Sequence, residues 1–516
     1  MMTLLLAESQ AIPQSVDYIR ILPELVLSAF GILVMVLDPL VDEEKSQKTL
    51  GLIAFVGTLA GLAATWHISR PENYGLAFSN MVRIDGFSVF FHFLIIAIAG
   101  VVILTSFEYM TVQRIRAGEY YALILFSIVG MGLMSSAVEL VLIFIALEIS
   151  SISTYILAGF RRQEAASSES SLKYFLLGSF ATAFFLYGVA LIFGATGSTN
   201  IDTISRILQT GPAQLLVYVA VALMLVGLGF KVAAAPLHVW TPDVYEGAPA
   251  PVVGFMSTAP KAAAFAVLLR VVFAINAPGR FWPIWVAAAL SMTIGNVGAL
   301  VQTNVKRLLA YSSIAHAGYI LMGFAMTTTD NSSTGISAVM FYTAAYAAMN
   351  VGAFAVVSHF GNAGERYVTL EDYEGLGRSS PLLAATLTIF VLSLIGIPMT
   401  GGFLAKFYVF SAAAKANLIW LLLIGVVNSA VGAYYYLRII VVMYMREARK
   451  EVPVTPIPAG LGVALALSVL ATLYLGILPD RVLGYTRESA QELMPQLTAA
   501  PASAAQVSPV TERTPR

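Results

Sequence analysis

The segment LVGLGFKVAAAP, residues 225–236, places one lysine inside an otherwise apolar run. No acidic residue lies closer to Lys231 in the sequence than Asp243. A lysine near the centre of a bilayer costs about 2.5 to 3.5 kcal/mol on insertion scales, so it persists mainly where it faces water or a partner. Two glycines before the lysine and Pro236 after it interrupt the helical pattern. The segment therefore predicts a broken membrane helix with a charged site at the break.

Apolar segments long enough to cross a bilayer recur on both sides of this run, from Leu22 to Leu478. Of the 516 residues, 58% are hydrophobic and 11% are charged, whereas soluble domains carry roughly 25% charged residues. We predict an all-α integral membrane protein with one polytopic domain, 1–498, and a disordered tail, 499–516. The predicted spans, numbered one to fourteen, are 21–40, 49–68, 85–106, 119–137, 138–160, 171–194, 213–239, 250–275, 281–303, 307–327, 334–360, 382–412, 416–445 and 459–479.

Predicted span twelve repeats the pattern of span seven. Its sequence LSLIGIPMTGGFLAKFYVF, residues 392–410, passes through glycines and Pro398 before it reaches Lys406. Paired broken helices in two halves point to a transport site, although a proline kink that only aids packing is the alternative. We predict two five-helix repeats, about 119–275 and 281–445. Because five is an odd number, the two repeats must have opposite topology.

Positively charged residues are distributed unequally between the predicted loops. Loops after even-numbered spans hold only Arg70, Arg83, Arg206, Arg270, Arg280 and Lys415. Loops after odd-numbered spans hold Lys45, Lys48, Arg114, Arg116, Arg161, Arg162, Lys306, Arg307, Arg366, Arg378, Arg446, Arg449 and Lys450. By the positive-inside rule the odd loops are cytoplasmic, so both termini are predicted on the non-cytoplasmic side.

Four further ionisable residues fall inside or at the end of predicted spans. Glu148 is near the middle of span five, beside a polar stripe of serines and a threonine at 150, 151, 153 and 154, and it is the expected partner of Lys231. Lys261 and His316 lie at matching depth in spans eight and ten, where His316 suits either a proton relay or a hydrogen-bonded packing role. Lys173 opens span six and could extend the Glu148 cluster or be a solvated end charge. His92 is predicted to be an interfacial or packing residue without a chemical role.

Other kinds of chemistry find no support in the sequence. The chain has no cysteine, which removes thiolate-held iron–sulfur clusters and Cys-ligated zinc. No Walker loop, dinucleotide-binding glycine pattern or zinc-binding His pair is present. Lys plus Arg and Asp plus Glu are equal at 29 each, so no basic excess suggests nucleic acid.

Three long stretches carry a family resemblance that extends from about Pro23 to Leu478. They are GLGFKVAAAPLHVWTPDVYEGAPAPV at 227–252, QTNVKRLLAYSSIAHAGY at 302–319 and the span-twelve sequence at 392–410. They resemble the antiporter-like subunits of respiratory complex I, an NADH:quinone oxidoreductase, and of the related multisubunit cation/proton antiporters. Within this family, the segments TPDVYEGAP and LLAYSSIAHAGY are most similar to the subunit N branch.

The resemblance implies a proton path through Glu148, Lys231, Lys261 and Lys406, and His316 and Lys173 match polar positions of the family's central axis. It also implies that NADH, FMN, iron–sulfur clusters and quinone are handled by partner subunits, that this chain holds no cofactor or metal, and that it sits in the bacterial inner membrane beside other complex I membrane subunits. Two alternatives stay open: a subunit of a cation/proton antiporter without a redox partner, and a structural scaffold.

Overall fold

The computed structural model describes residues 13–41, 43–113, 115–210, 215–274, 281–330, 333–361, 363–449 and 455–493. The predicted tail at 499–516 and the loop residues Arg114, Arg280 and Lys450 lie outside these ranges.

The described part of the chain is almost entirely helical. One short hairpin, β1 Gly75–Ala77 and β2 Val82–Ile84, pairs antiparallel with Gly75 opposite Ile84. The helices are α1 Ser15–Arg20, α2 Leu22–Leu37, α3 Glu43–Ile68, α4 Gly86–Gln113, α5 Gly118–Ser136, α6 Leu140–Ala158, α7 Ala165–Thr196, α8 Ile201–Thr210, α9 Leu215–Lys231, α10 Thr241–Gly247, α11 Ala250–Met256, α12 Ala259–Ala274, α13 Phe281–Leu300, α14 Val305–Asp330, α15 Ser333–Gly361, α16 Leu376–Ser379, α17 Pro381–Ile395, α18 Gly401–Lys415, α19 Ile419–Met445, α20 Ala459–Ile477 and α21 Asp480–Leu493.

Twelve segments of the described chain are long and apolar enough to cross a membrane. Two shorter apolar helices, α9 and α17, coincide with the first parts of predicted spans seven and twelve. Large apolar side chains such as Leu176 and Phe180 of α7 are exposed, as a lipid-facing surface requires. The predicted all-α membrane fold is confirmed, while the number of crossings and the inverted repeats stay predictions.

The chain leaves the helical conformation after Lys231, and protein groups satisfy part of the freed backbone. The N–H of Ala235 donates to Ser291 Oγ at 2.8 Å. The carbonyl of Phe230 accepts from the indole N–H of Trp240 at 3.1 Å. A membrane helix tolerates such a break only where neighbouring groups replace the lost helical hydrogen bonds. The break thus brings the end of α9 against α13 and the Trp240 ring.

The second break follows Ile395, where Gly396 adopts a left-handed conformation with φ of 94°. A side chain on Gly396 would also meet the aliphatic part of Lys406, because a Cβ there would lie 3.1 Å from Lys406 Cδ. Glycine therefore both ends α17 and leaves room for the lysine.

Predicted span eight differs from the prediction because it is two helices, α11 and α12, separated at Ser257 and Thr258. Pro260 in the first turn of α12 has no N–H to continue the hydrogen bonding of α11. Arg270 was wrongly placed in the following loop. It lies inside α12 with 3% exposure, because Asp85 neutralises its charge there.

Candidate functional site

Lys231 is buried at the end of α9 with 4% exposure. Its Nζ donates to Ser151 Oγ of α6 at 2.8 Å and reaches Tyr174 OH of α7 at 3.5 Å. The ammonium also lies 5.9 Å and 5.7 Å from the ring centroids of Tyr155 and Tyr174. One hydroxyl and two aromatic faces thus provide most of the polar surroundings of this lysine.

Glu148 does not form the expected direct ion pair with Lys231. Among the described residues, Lys231 Nζ donates to Ser151 Oγ and Tyr174 OH, and Glu148 Oε1 is buried without a hydrogen-bond partner. Ser151 follows Glu148 by three residues on α6, so the two residues share one face of that helix. Lys231 therefore contacts the face of α6 that carries Glu148.

Lys261 is buried in α12 and faces α14. Its Nζ donates to the carbonyl and to Oγ of Ser313. The same Ser313 hydroxyl accepts a hydrogen bond from Tyr346 OH of α15 at 2.8 Å. Lys261 is thereby joined to a tyrosine on a third helix.

His316 lies in the middle of a group of buried tyrosines. Its Nδ1 is 2.8 Å from Tyr342 OH, and its Nε2 is 3.3 Å from Tyr436 OH. The ring centroid lies 5.1 Å from that of Tyr346 and 5.8 Å from that of Tyr319. His316 therefore contacts Tyr346, whose hydroxyl donates to the same Ser313 that binds Lys261.

Lys406 lies in α18 with its Nζ against the end of α17. It donates to the carbonyls of Leu394 and Ile395 at 3.1 Å and 2.8 Å, and to Ser429 Oγ of α19 at 2.9 Å. Its Nζ also sits 5.1 Å from the ring centroid of Tyr319. Since Tyr319 contacts His316, polar and aromatic groups connect Lys261 to Lys406 without a gap.

The corresponding connection between Lys231 and Lys261 is incomplete. Tyr245 OH, Thr241 Oγ1 and Asn350 Oδ1 are buried without a hydrogen-bond partner in the described chain. Tyr245 contacts the Trp240 ring at 6.0 Å, and Trp240 stacks on Tyr174 at 4.6 Å. Asn350 donates to Ser257, four residues before Lys261. Buried polar atoms of this kind are usually satisfied by ordered water.

The structure brings Lys173 to a surface network and not to Glu148. Its Nζ contacts Glu169 at 2.7 Å and Asp243 at 2.8 Å, and 41% of its side chain is exposed. Arg307 of α14 binds the same Asp243 at 2.7 Å. Burial raises the pKa of the Asp243 carboxyl, but hydrogen bonds from Lys173 and Arg307 outweigh it and lower that pKa overall. Lys173 thus helps join α7 to α14.

The hydroxyl groups that link the charges were not predicted from the sequence. Ser151 belonged to a recognised polar stripe, but its contact with Lys231 was not foreseen. The spacing of Tyr342 and Tyr346 could have indicated them, because residues four apart share one face of a helix. Ser313, Tyr436 and Ser429 gave no comparable signal. Among the described residues, no group of three His, Asp or Glu side chains could hold a metal ion.

Fold and site together define a class of protein. An all-helical membrane bundle with buried lysines at broken helices has the architecture of an ion-translocating membrane protein.

Known proteins place the chain within that class. The profile described as NADH:quinone oxidoreductase/Mrp antiporter, TM, matches residues 137–432. NADH-quinone oxidoreductase subunit N 2 of Koribacter versatilis (strain Ellin345) is 66% identical over 490 residues, which is 94% of this chain and 99% of that relative. The chain belongs to the NADH:quinone oxidoreductase/Mrp antiporter family, and its resemblance to subunit N is confirmed.

Solved structures agree with this assignment. A chain of respiratory complex I from Thermus thermophilus with bound aureothin is 37% identical and has a TM-score of 0.76, with 90% of this chain and 98% of that chain covered. A chain of the Mrp complex from Dietzia sp. DQ12-45-1b has a TM-score of 0.80 at 21% identity, with coverage of 93% and 98%. The second likeness concerns the fold alone.

Proposed function

We propose that Glu148, Lys231, Lys261, His316 and Lys406 carry protons across the membrane in this chain. The chain is a proton-translocating membrane subunit of NADH:quinone oxidoreductase and sits with the other membrane subunits of that complex. The observation that carries the residue assignment is the series of contacts from Lys261 to Lys406, which runs through Ser313, Tyr346, His316 and the Tyr319 ring. Lys173 holds the cytoplasmic ends of the helices together and is at most an entry residue.

Charge displacement provides the driving step. An opposite charge within about 4 to 6 Å favours an ionised lysine, and burial favours the neutral one. Rotation of the Glu148 side chain toward or away from Lys231 therefore changes the proton affinity of that lysine. Ser151, which binds Lys231, shares one face of α6 with Glu148. A proton released by Lys231 then passes to Lys261 through the buried polar atoms of Tyr245 and Asn350.

Redox chemistry belongs to the partner subunits. NADH oxidation, FMN, the iron–sulfur clusters and quinone reduction are assigned to them, and this chain is assigned no redox centre, cofactor or metal. The lack of cysteine supports this division, because iron–sulfur clusters are held by cysteine thiolates. A subunit of a cation/proton antiporter, which needs no redox partner, is the alternative function. Because the chain shares its fold with a chain of the Dietzia Mrp complex, the experiment below also tests the antiporter function.

The topology is part of the proposal. We infer fourteen crossings, two inverted repeats at about 119–275 and 281–445, and both termini on the non-cytoplasmic side. A cysteine introduced at Arg366, in the chain without native cysteine, is expected to react with an impermeant thiol reagent only from the cytoplasmic side. Labelling from outside in sealed cells would contradict this orientation.

The test of the path uses the assembled enzyme in vesicles. Lys231→Ala and Glu148→Gln are each expected to lower NADH-driven proton uptake and coupled turnover. Lys48→Ala is the matched control, because Lys48 is exposed at the start of α3. If both site variants keep the parental values in equal amounts of assembled complex, the proposed path is wrong. If proton movement persists without NADH oxidation and follows a sodium gradient, the antiporter function is correct.

A further inference from the structure

A second group of buried ionisable side chains lies outside the lysine path, where α2, α4, α5 and α12 meet. Glu24 in the first turn of α2 is 5% exposed and His92 of α4 is 1% exposed. Glu24 Oε1 and His92 Nε2 are 2.6 Å apart. Ionisable groups inside membrane helices are energetically costly, and they commonly mark functional sites. Packing, the role predicted for His92, does not explain why its partner is a carboxylate.

The hydrogen bonds around His92 fix where its protons are. Nδ1 lies 2.7 Å from the carbonyl of Ser88, and a carbonyl can only accept, so Nδ1 carries a hydrogen. Ser135 Oγ gives its own hydrogen to the carbonyl of Gly132, so it also accepts from Nδ1 at 3.3 Å. One remaining proton therefore lies between His92 Nε2 and Glu24 Oε1. The pair is neutral overall whether that proton is on oxygen or nitrogen.

One carboxylate oxygen of Glu24 is free to accept a further proton. Its Oε2 atom is buried and has no hydrogen-bond partner among the described residues. A second proton can bind there while His92 Nε2 keeps the first, which gives the pair a charge of plus one. Gly132 makes room for this arrangement, because a Cβ at that position would lie 2.7 Å from Glu24 Oε1 and 3.2 Å from His92 Nε2.

A chain of hydrogen-bonded residues connects the pair to the helix of Lys261. From His92 this chain of residues passes through Ser135, whose carbonyl accepts from Arg270 Nε at 2.9 Å. Arg270 Nη2 binds Asp85 Oδ1 at 2.8 Å. Asp85 Oδ1 accepts from the N–H of Ser88, and the carbonyl of Ser88 accepts from His92.

Arg270 and Lys261 are on the same helix. They are nine residues apart in α12, or about 14 Å along its axis. Arg270 Nη1 is a second buried atom without a partner in the described chain. A change of charge on the Glu24–His92 pair therefore reaches the Lys261 helix through a buried ion pair.

Other charged and titratable groups near α2 and α4 have partners of their own or lie elsewhere. On the elements packed against these helices they are Arg20 of α1, His67 of α3, Arg83 of β2 with Asp202, and Tyr485 and Glu492 of α21. Glu108, Tyr109, His359 and Glu365 are at the far end of α4. In the described part of the chain, none of these residues forms a hydrogen bond or ion pair with Glu24 or His92.

We propose that Glu24 and His92 form a proton-binding site separate from the lysine path, at the end of the bundle where α12 finishes. An O–H bond of a hydronium ion breaks as the Glu24 Oε2–H bond forms, which leaves a water molecule, and the reverse transfer to water returns the proton as hydronium. No other atom or electron changes place. The proposal rests on proton translocation by this chain, and the predicted topology puts the site on the non-cytoplasmic side.

The test compares proton release by assembled enzyme in vesicles across pH for Glu24→Gln, His92→Gln and Glu24→Asp. Both glutamine variants are expected to lose part of the pH dependence of proton release, and Glu24→Asp is expected to restore it. Thr111→Ala is the control, because Thr111 is exposed at the far end of α4 and its Oγ1 donates to the carbonyl of Phe107 in the same helix. Parental pH profiles in both glutamine variants would overturn the proposal. If Lys231→Ala also keeps parental proton release, the proposed function itself fails.

A second measurement covers the case in which the glutamine variants do not assemble. Infrared difference spectra of the parental enzyme between acid and neutral pH are expected to show a protonated carboxyl band that Glu24→Asp shifts. Identical spectra for parental and Glu24→Asp enzyme would overturn the proposal. This measurement reads proton binding whether or not the enzyme pumps.

Discussion

Lys231 and Lys406 occupy similar places at the two broken helices, yet different atoms hold them. Lys406 donates to two backbone carbonyls at the end of α17 and to Ser429. Lys231 has one close acceptor, Ser151 Oγ, and two aromatic rings. The carbonyl end of a helix carries partial negative charge, which stabilises a nearby ammonium.

The difference shows that a shared sequence pattern need not produce equivalent sites. Backbone carbonyls at Lys406 are fixed by the fold, so the surroundings of that ammonium change little. Lys231 depends on side chains, which can rotate. We therefore expect Lys231 to respond to a movement of charge and Lys406 to respond mainly to arrival of a proton from His316.

The largest expected effect concerns a junction outside these two regions, where Glu365 joins α4, α11 and α14. Glu365 accepts from Lys306 Nζ at 2.6 Å, from the N–H of Ala250 at 2.7 Å and from Tyr109 OH at 2.8 Å. Glu365→Gln leaves Lys306 as an unpaired buried charge, which costs about 3 to 5 kcal/mol. Thermal unfolding of the purified complex measures this loss, and Glu371→Gln at an exposed position is the control.

The same junction gives a pH dependence. Burial raises the pKa of Glu365, but the charge of Lys306 and its hydrogen bond outweigh burial and lower that pKa overall. A carboxyl with a lowered pKa contributes stability above its unfolded pKa, and that stability is lost as pH falls through the folded value. The parental complex should lose unfolding temperature in acid, and Glu365→Gln should lose less. Equal acid sensitivity would contradict this.

The second prediction tests whether Lys406 must release its proton. Arginine can donate to the same carbonyls and to Ser429, but its guanidinium does not deprotonate in proteins. We expect Lys406→Arg to assemble and to lower coupled quinone-reductase turnover and proton uptake about a hundredfold, the low side of what a proton-transferring group contributes. Lys415→Arg on the same helix is the control. Parental values for Lys406→Arg would mean that a fixed positive charge suffices.

The sequence predicted the parts of the molecule that depend on local composition. The lengths of the apolar segments predicted the helices, and Pro236 and Pro398 predicted the two breaks. The break before Lys261 was missed because Ser257 and Thr258 resemble an ordinary helix interior. The chain of hydrogen-bonded residues around Arg270 was missed because its members come from residues 85 to 270, and only tertiary packing brings them together.

The direct Glu148 to Lys231 contact was expected from charge alone. Charge indicates which groups attract one another, but it does not say which side chain fills the space between two helices. Here Ser151 fills it, since its hydroxyl is 2.8 Å from Lys231 Nζ. Lys173 shows the same limit, because Asp243 comes from a helix seventy residues later.

The third prediction measures how much Lys231 depends on its single hydroxyl. Ser151→Ala removes the close acceptor and leaves Tyr174 OH at 3.5 Å. The loss of one hydrogen bond, about 1 kcal/mol, should lower coupled turnover about fivefold. Ser153→Ala is the matched control, because Ser153 Oγ bonds only to Ile149 of its own helix. Equal effects of the two substitutions would mean that Ser151 affects the stability of α6 and that its hydrogen bond to Lys231 does not matter for turnover.

The smallest expected effect is that of Ser429→Ala, and it tests the comparison most directly. The substitution removes one of three acceptors from Lys406 and leaves the carbonyls of Leu394 and Ile395 in place. An ammonium has three hydrogens, and the remaining one can face the Tyr319 ring at 5.1 Å. We expect coupled turnover to fall about twofold or less, well short of the Ser151→Ala effect. Turnover and proton uptake of the two variants should be measured side by side in equal amounts of assembled complex. If Ser429→Ala is as harmful as Ser151→Ala, the helix-end carbonyls do not hold Lys406 as their geometry indicates, and the two lysines depend on side-chain hydroxyls to the same degree.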